Sequence, residues 1–260
     1  MREYTSSETK EMAKALADGE ILAFPTDTVY GVGTVYGNPE ALQRLKNIKH
    51  RPETKPVPMM SSRLDVFEPI VRLNDKARRL ADRLLPGALT LVVELQPETD
   101  RTYTNGKDTA AIRIPNAPVL LKVMDQIDVP LMVTSANVSG APAALCKKEA
   151  MDMLPGLDGI LDGDCHDLQA STIVDCTGDE IQILHFLASD FFLFCQLWLA
   201  AFLIVLVAHA ILPSLSVISC LSSRSVNQDF ETLFSQESFK MAFGAVFPIL
   251  VWLRENRHSF

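Results

Sequence analysis

Three short segments of this 260-residue chain contain residues whose types and spacing could act on a phosphorylated ligand. They read PTDTVYGVG at 25–33, KHRPETK at 49–55 and TSANVSG at 134–140. The first and third combine hydroxyl side chains with glycines directly after an apolar run that is typical of a buried strand. Loops in that position present backbone N–H groups and side-chain donors to phosphate or carboxylate oxygens.

The middle segment supplies positive charge in a chain whose formal net charge is -8. Lys49, Arg51 and Lys55 lie within seven residues of one another. Such a cluster suits bidentate and point-charge contacts to a polyphosphate. It equally suits the solvated end of a helix, where the helix dipole favours Lys and Arg.

The other candidates also have structural alternatives. Thr28 and Tyr30 could form a β-turn with a packed aromatic ring, and the segment 134–140 could be an Asx or Ser/Thr turn that caps a helix. Arg113 ends an apolar strand in AIRIP, where it needs either a ligand or a structural ion pair. The residues alone leave these alternatives open.

Several classes of function are disfavoured. Gly31, Gly33 and Gly37 nearly match a dinucleotide fingerprint, but the last glycine falls one residue late, so we regard a Rossmann oxidoreductase as a rival hypothesis only. The five histidines lack metal-ligand spacing, the five cysteines lack C-x-x-C spacing, and G-x-S-x-G is absent, so no metal site is predicted. The acidic balance argues against a protein that coats nucleic acid.

The alternation of strand-like and helix-like segments predicts an α/β domain over residues 1–185. A helix that ends at Gly19 precedes a strand at 21–24, a loop at 25–37 and a helix that begins at Asn38 and Pro39. Further strands are predicted at 57–61, 89–95, 110–114, 131–134, 171–175 and 181–184, and further helices at 75–84 and 117–127.

The composition changes after His185. Residues 191–223 contain no charged side chain, and 191–212 is apolar over a length that could span a bilayer. We interpret 186–260 as a hydrophobic, helical C-terminal tail, with membrane association through 191–212 as one reading. A helical hairpin packed on the domain and a non-native sequence are the others. The N-terminus lacks an apolar signal region, so a cytoplasmic location is expected.

Six motifs together resemble the YrdC/Sua5 family, the threonylcarbamoyl-AMP synthases of tRNA modification. They are PTDTVYGVG, the K-x-R at 49–51, PGALTLVV, AIRIP, TSANVSG and STIVD, and they span about the first 185 residues. The resemblance implies a twisted mixed sheet flanked by helices with a deep cavity. It also implies a reaction of L-threonine, bicarbonate and ATP, with Mg²⁺ accompanying ATP, to give threonylcarbamoyl-AMP and pyrophosphate for the downstream tRNA threonylcarbamoyl-transferase machinery.

The family also implies site residues by motif position. Lys49, Arg51, Ser135 and Asn137 form its catalytic tetrad, which also contacts ATP, while Thr28 and Tyr30 are expected to contact threonine. Additional ATP contacts are expected from Lys55, Arg113, Thr134, Ser139, Ser171 and Thr172.

The chain departs from the family at two places. It reads PVPMMSS at 56–62, where many members have a histidine, and IQILH at 181–185, where members usually have an arginine and a glycine. The alternative function is a non-catalytic module of the same fold that binds a nucleotide or contacts double-stranded RNA.

Overall fold

The computed structural model describes residues 1–165 and 170–185. The strands in this part are β1 (Arg2–Tyr4), β2 (Leu22–Pro25), β3 (Tyr30–Val35), β4 (Met59–Met60), β5 (Val71–Arg72), β6 (Leu89–Leu95), β7 (Thr109–Arg113), β8 (Leu131–Ser135), β9 (Gly159–Leu161), β10 (Thr172–Asp175) and β11 (Gln182–His185). The α-helices are α1 (Thr9–Ala17), α2 (Pro39–Ile48), α3 (Asp75–Leu84), α4 (Pro118–Met124) and α5 (Lys147–Met153).

All of these strands belong to one mixed sheet, with the order β1-β9-β2-β3-β8-β4-β7-β6-β10-β11 and β5 paired to β6. β2 pairs antiparallel with β3, and β3 pairs antiparallel with β8, whereas β4 and β7 run parallel. Helices α1 and α4 pack on apolar side chains of β2, β3 and β8, including Phe24, Val35 and Val133. The predicted α/β fold, a mixed sheet flanked by helices, is therefore confirmed.

Local sequence signals predicted several elements well. Asn38 caps α2, because its Oδ1 accepts a hydrogen bond of 2.9 Å from the N–H of Ala41 and Pro39 occupies the first turn. The predicted bounds of α3 and β6 match the structure. The short elements β1, α5 and β9 were not predicted, since seven residues or fewer give little periodicity.

The prediction of one continuous loop over 25–37 is wrong. Its second half is β3, which forms a hairpin with β2 and lies in the interior of the sheet. A Cβ on Gly33 would stand 2.8 Å from the carbonyl oxygen of Met132. Gly33 thus permits close strand pairing. Two of the three glycines that nearly match a dinucleotide fingerprint, Gly31 and Gly33, therefore lie within a strand.

The predicted tail at 186–260 lies outside the described residues, as does its apolar segment 191–212. Within 1–165 and 170–185, the helices are all too short or too polar to cross a membrane.

Candidate active site

The buried side chain of Lys49 joins the end of α2 to the loop that follows β8. Its Nζ donates hydrogen bonds to the carbonyl oxygens of Ser135 and Asn137, the second at 2.6 Å, and to Asn137 Oδ1 at 3.3 Å. In return, the Ser139 N–H donates to the carbonyl oxygen of Lys49 at 2.8 Å. The structure therefore brings together two segments that are more than eighty residues apart in sequence.

The loop after β8 is also ordered internally. Ser135 Oγ donates to Asn137 Oδ1 at 2.5 Å, and Asn137 Nδ2 donates to the carbonyl oxygens of Val138 and Ala141 at 2.9 and 2.6 Å. Side chains thus stabilise this turn, but the turn does not cap a helix as one interpretation expected, because the next helix, α5, begins only at Lys147. The same turn holds the hydroxyl and the amide beside the Lys49 ammonium.

Burial, together with the nearby positive charge of Arg51, lowers the pKa of Lys49 to about 7. Burial also lowers the pKa of Arg51. Two cations held close together in a partly dry region favour an anionic ligand, because such a ligand would relieve their mutual repulsion.

Arg51 contacts β8 and its own loop. Its Nη1 donates to Thr134 Oγ1 at 3.3 Å, its Nη2 to the carbonyl oxygen of Pro56 at 2.7 Å and its Nε to that of Lys55 at 3.3 Å. His50, between the two cations, has a left-handed φ of 49°, which turns the chain sharply after α2. The Lys55 side chain is exposed.

A second cluster surrounds Arg113. Its Nη2 pairs with Asp27 Oδ1 at 2.5 Å, its Nη1 donates to Thr28 Oγ1 at 3.0 Å and its Nε donates to the carbonyl oxygen of Gly87 at 3.1 Å. Both members of the ion pair are buried, with side-chain exposures of 4% and 7%. Asp27 is thus the partner that the buried arginine required, so the structural ion pair considered above is present.

Sequence reasoning missed Asp27 and Thr26. Thr26 Oγ1 accepts from the N–H groups of Thr28 and Val29 at 3.1 and 3.3 Å and lies 3.0 Å from Thr28 Oγ1. The available signal was the cost of burying Arg113, which calls for a carboxylate.

Ser171 and Thr172 connect to the Arg113 cluster through the start of β6. The Thr172 N–H donates to the carbonyl oxygen of Ala88 at 3.0 Å, next to the Gly87 that Arg113 contacts. Ser171 Oγ lies 2.8 Å from Thr90 Oγ1.

Tyr30 has a structural environment. Its side chain is fully buried, and its hydroxyl contacts the carbonyl oxygens of Leu161 and Gly163 at 3.2 and 2.7 Å. Burial raises the pKa of this phenol. Packing and hydrogen bonding alone therefore account for Tyr30.

The described residues contain no group of three or more His, Cys, Asp or Glu side chains that could hold a metal ion. A pocket of about 640 Å³ lies beside the ends of β3 and α4 and is lined by residues such as Asn38 and Asp128, not by the clusters above. The deep cavity expected at the ligand site stays a prediction.

Fold and site together define a mixed α/β protein with a buried lysine and a half-buried arginine beside a loop of hydroxyl and amide groups. The model of the Sua5, YciO and YrdC family, described as "Telomere recombination", matches residues 14–185. The chain belongs to this family.

Its relatives include two bacterial proteins named threonylcarbamoyl-AMP synthase. That of Bacillus subtilis is 33% identical over 67% of this chain and 51% of its own length, and that of Klebsiella pneumoniae is 31% identical over 57% and 82%. A solved structure of Pyrococcus abyssi Sua5 complexed with L-threonine has a TM-score of 0.66 at 28% identity, covering 71% of this chain and 56% of that one. The chain thus spans about half the length of the Bacillus and Pyrococcus proteins.

Proposed function

We propose that this chain is an L-threonylcarbamoyladenylate synthase, which makes threonylcarbamoyl-AMP and pyrophosphate from L-threonine, bicarbonate and ATP. The observation that carries the proposal is the contact between the Lys49–Arg51 segment and the loop Thr134–Asn137. The names of the relatives and the threonine in the Pyrococcus structure support the choice of substrates. The product would supply N6-threonylcarbamoyladenosine formation in tRNA.

The proposed chemistry needs positioning and charge neutralisation, with no covalent nucleophile on the protein. The threonine amine is carboxylated by bicarbonate with loss of water. An oxygen of the carbamate then attacks the α-phosphorus of ATP and pyrophosphate leaves. The buried thiols of Cys165 and Cys176 have pKa values raised by burial, so neither is set up as a thiolate.

We assign the ATP phosphates to Lys49, Arg51, Ser135 and Asn137, and the threonine to Thr28. Oxygens of the loop after β8 hold the Lys49 ammonium, and they would exchange for phosphate oxygens when ATP binds. Lesser contacts are proposed for Lys55, Arg113, Thr134, Ser139, Ser171 and Thr172. We leave Tyr30 out of this set, because its hydroxyl is already bonded inside the fold.

Mg²⁺ would be held mainly by the nucleotide's own phosphates and by water, as is common for this ion.

The test is pyrophosphate release from ATP by the full chain, measured with and without threonine and bicarbonate. We expect release that requires both co-substrates and is lost in Lys49→Ala and in Arg51→Ala, with circular dichroism as the check on folding. ATP binding without such release would instead favour the alternative, a nucleotide-binding module without turnover. That alternative draws on the observation that the chain spans about half of two of its relatives.

A further inference from the structure

Glu53 is an acidic residue in the middle of the basic loop between α2 and β4. It is the sole carboxylate between Lys49 and Pro58, and it lies two residues from both Arg51 and Lys55. A carboxylate that faced the same ligand as these cations would repel phosphate. The orientation of Glu53 therefore decides whether the loop can bind an anion.

The Glu53 carboxylate is turned toward α2. Its Oε2 accepts from Lys46 Nζ at 2.8 Å, and its Oε1 accepts from Gln43 Nε2 at 3.0 Å. These hydrogen bonds, that from Lys46 first, lower the pKa of Glu53. The carboxylate is thus ionised, and both of its oxygens accept hydrogen bonds from side chains of α2.

Lys46 is a fixed anchor for this contact. Its side chain is only 6% exposed, and its Nζ also donates to Asn105 Oδ1 at 2.9 Å. The carbonyl oxygen of the same lysine accepts from the Arg51 N–H at 2.9 Å. Lys46 therefore holds the loop at two points, through its backbone at Arg51 and through its side chain at Glu53.

The segment that Glu53 holds is the one that orients Arg51. The Arg51 guanidinium donates to the carbonyl oxygens of Lys55 and Pro56, which follow Glu53 in the loop. If residues 52–56 were released from α2, these two acceptors would move and Arg51 would keep only its hydrogen bond to Thr134 Oγ1.

We propose that Glu53 is a positioning residue that, through Lys46, holds the basic loop so that Arg51 and Lys55 face a polyphosphate. This inference rests on the proposed function only for the identity of the nucleotide. Glu53 itself makes no contact with the ligand and acts through the geometry of the loop.

The experiment measures the dissociation constant for ATP by calorimetry in the full chain, alongside turnover and melting temperature. We expect Glu53→Ala to weaken ATP binding by about three- to tenfold, the range for one ion pair with a buried partner. Threonine affinity should not change. The matched control is Glu68→Ala. It removes a carboxylate that lies outside this loop and pairs with Arg78 at an N–O distance of 3.0 Å, so ATP affinity should stay at the wild-type value.

Lys46→Met separates positioning from a general loss of stability. If the pair acts as one unit, Lys46→Met weakens ATP binding to a similar degree, and the double variant is no weaker than either single variant. Wild-type ATP affinity in Glu53→Ala, or additive losses in the double variant, would overturn the inference. If the wild-type chain binds ATP without turnover, the proposed synthase function fails, but the ATP-binding measurements still test the role of Glu53. If the wild-type chain does not bind ATP, the proposed function and the role of Glu53 are both wrong.

Discussion

At the scale of single residues, the site depends on charges that are buried before any ligand arrives. Lys49 is held by carbonyl and amide oxygens, and Arg113 is held by Asp27. The two cations differ in what balances them, because Lys49 faces neutral oxygens whereas Arg113 faces a carboxylate. We therefore expect Lys49 to respond to ligand charge and Arg113 to contribute to the integrity of the fold.

The lowered pKa of Lys49 predicts that ATP affinity depends on pH. Lys49 has a pKa of about 7 in the free protein, and a bound polyphosphate would raise that value, so binding takes up a proton above pH 7. Affinity should then fall as pH rises from 7.5 to 9, by at most about tenfold per pH unit. Titration calorimetry at several pH values checks this, with Lys49→Met as the control, and an equal slope in both proteins would refute it.

The buried pair of Asp27 and Arg113 predicts a large loss of stability when one partner is removed. Asp27→Ala would remove the carboxylate that pairs with the buried Arg113 guanidinium, and breaking a buried pair in this way costs about 3–5 kcal/mol. Urea unfolding measures the change, and Asp65→Ala serves as the control, because it removes an exposed pair with Arg63 that should contribute no more than about 1 kcal/mol. Similar losses in the two variants would show that the buried pair has no special role.

At the scale of elements, the arrangement depends on the hairpin of β2 and β3 and on the end of β8. The loop between β2 and β3 contains Asp27 and Thr28, while β8 leads into the loop that binds Lys49. Because β3 pairs directly with β8, any change in their spacing is transmitted to both clusters. The glycines of β3 set that spacing.

Gly33→Ala tests this dependence. The added Cβ would stand 2.8 Å from both the Met132 carbonyl oxygen and Val133 Cγ2, so the strands must separate. We expect a loss of about 1–3 kcal/mol in unfolding free energy, as for other overpacked cores, together with weaker ATP binding. Gly178→Ala is the control, since its nearest neighbour would be 3.7 Å away. A Gly33→Ala variant as stable as this control would mean that β3 and β8 are loosely packed.

Local signals in the sequence predicted some elements and could not predict others. Asn38 and Pro39 define the start of α2 through nearest-neighbour chemistry, so that boundary could be predicted. Strand β3 could not be predicted, because Gly31 and Gly33 are residue types that are common in loops. Glycine is needed at both positions because Val133, about a hundred positions away in sequence, packs closely against them. Asp27 was missed for the same reason, since its partner Arg113 is 86 positions away. Glu53 was missed although Lys46 is only seven positions away, because the pair spans the end of α2 and follows no regular helical spacing.

At the scale of the whole molecule, the family match ends at residue 185, where the composition of the chain changes. We propose that 1–185 is a catalytic domain and that 186–260 is an appendage. The cytoplasmic location and the membrane contact of 191–212 also remain predictions.

This boundary predicts that residues 1–185 fold and turn over alone. We expect a cooperative thermal transition and an ATP affinity within about threefold of the full chain, or about 0.6 kcal/mol. The comparison needs both proteins in the same buffer, with differential scanning calorimetry and ATP titration. Failure of 1–185 to fold would show that 186–260 belongs to the same folding unit.

We propose that this chain joins threonine, bicarbonate and ATP, and isotope labelling is the most direct experiment on that reaction. The full chain would be incubated with ¹³C-bicarbonate, threonine and ATP. The nucleotide products would then be separated and their masses measured by mass spectrometry. We expect a threonine-dependent adenylate that contains the labelled carbon, and we expect Arg51→Ala to make none. Unlabelled AMP or ADP as the sole product, or no product in the presence of bound ATP, would contradict it.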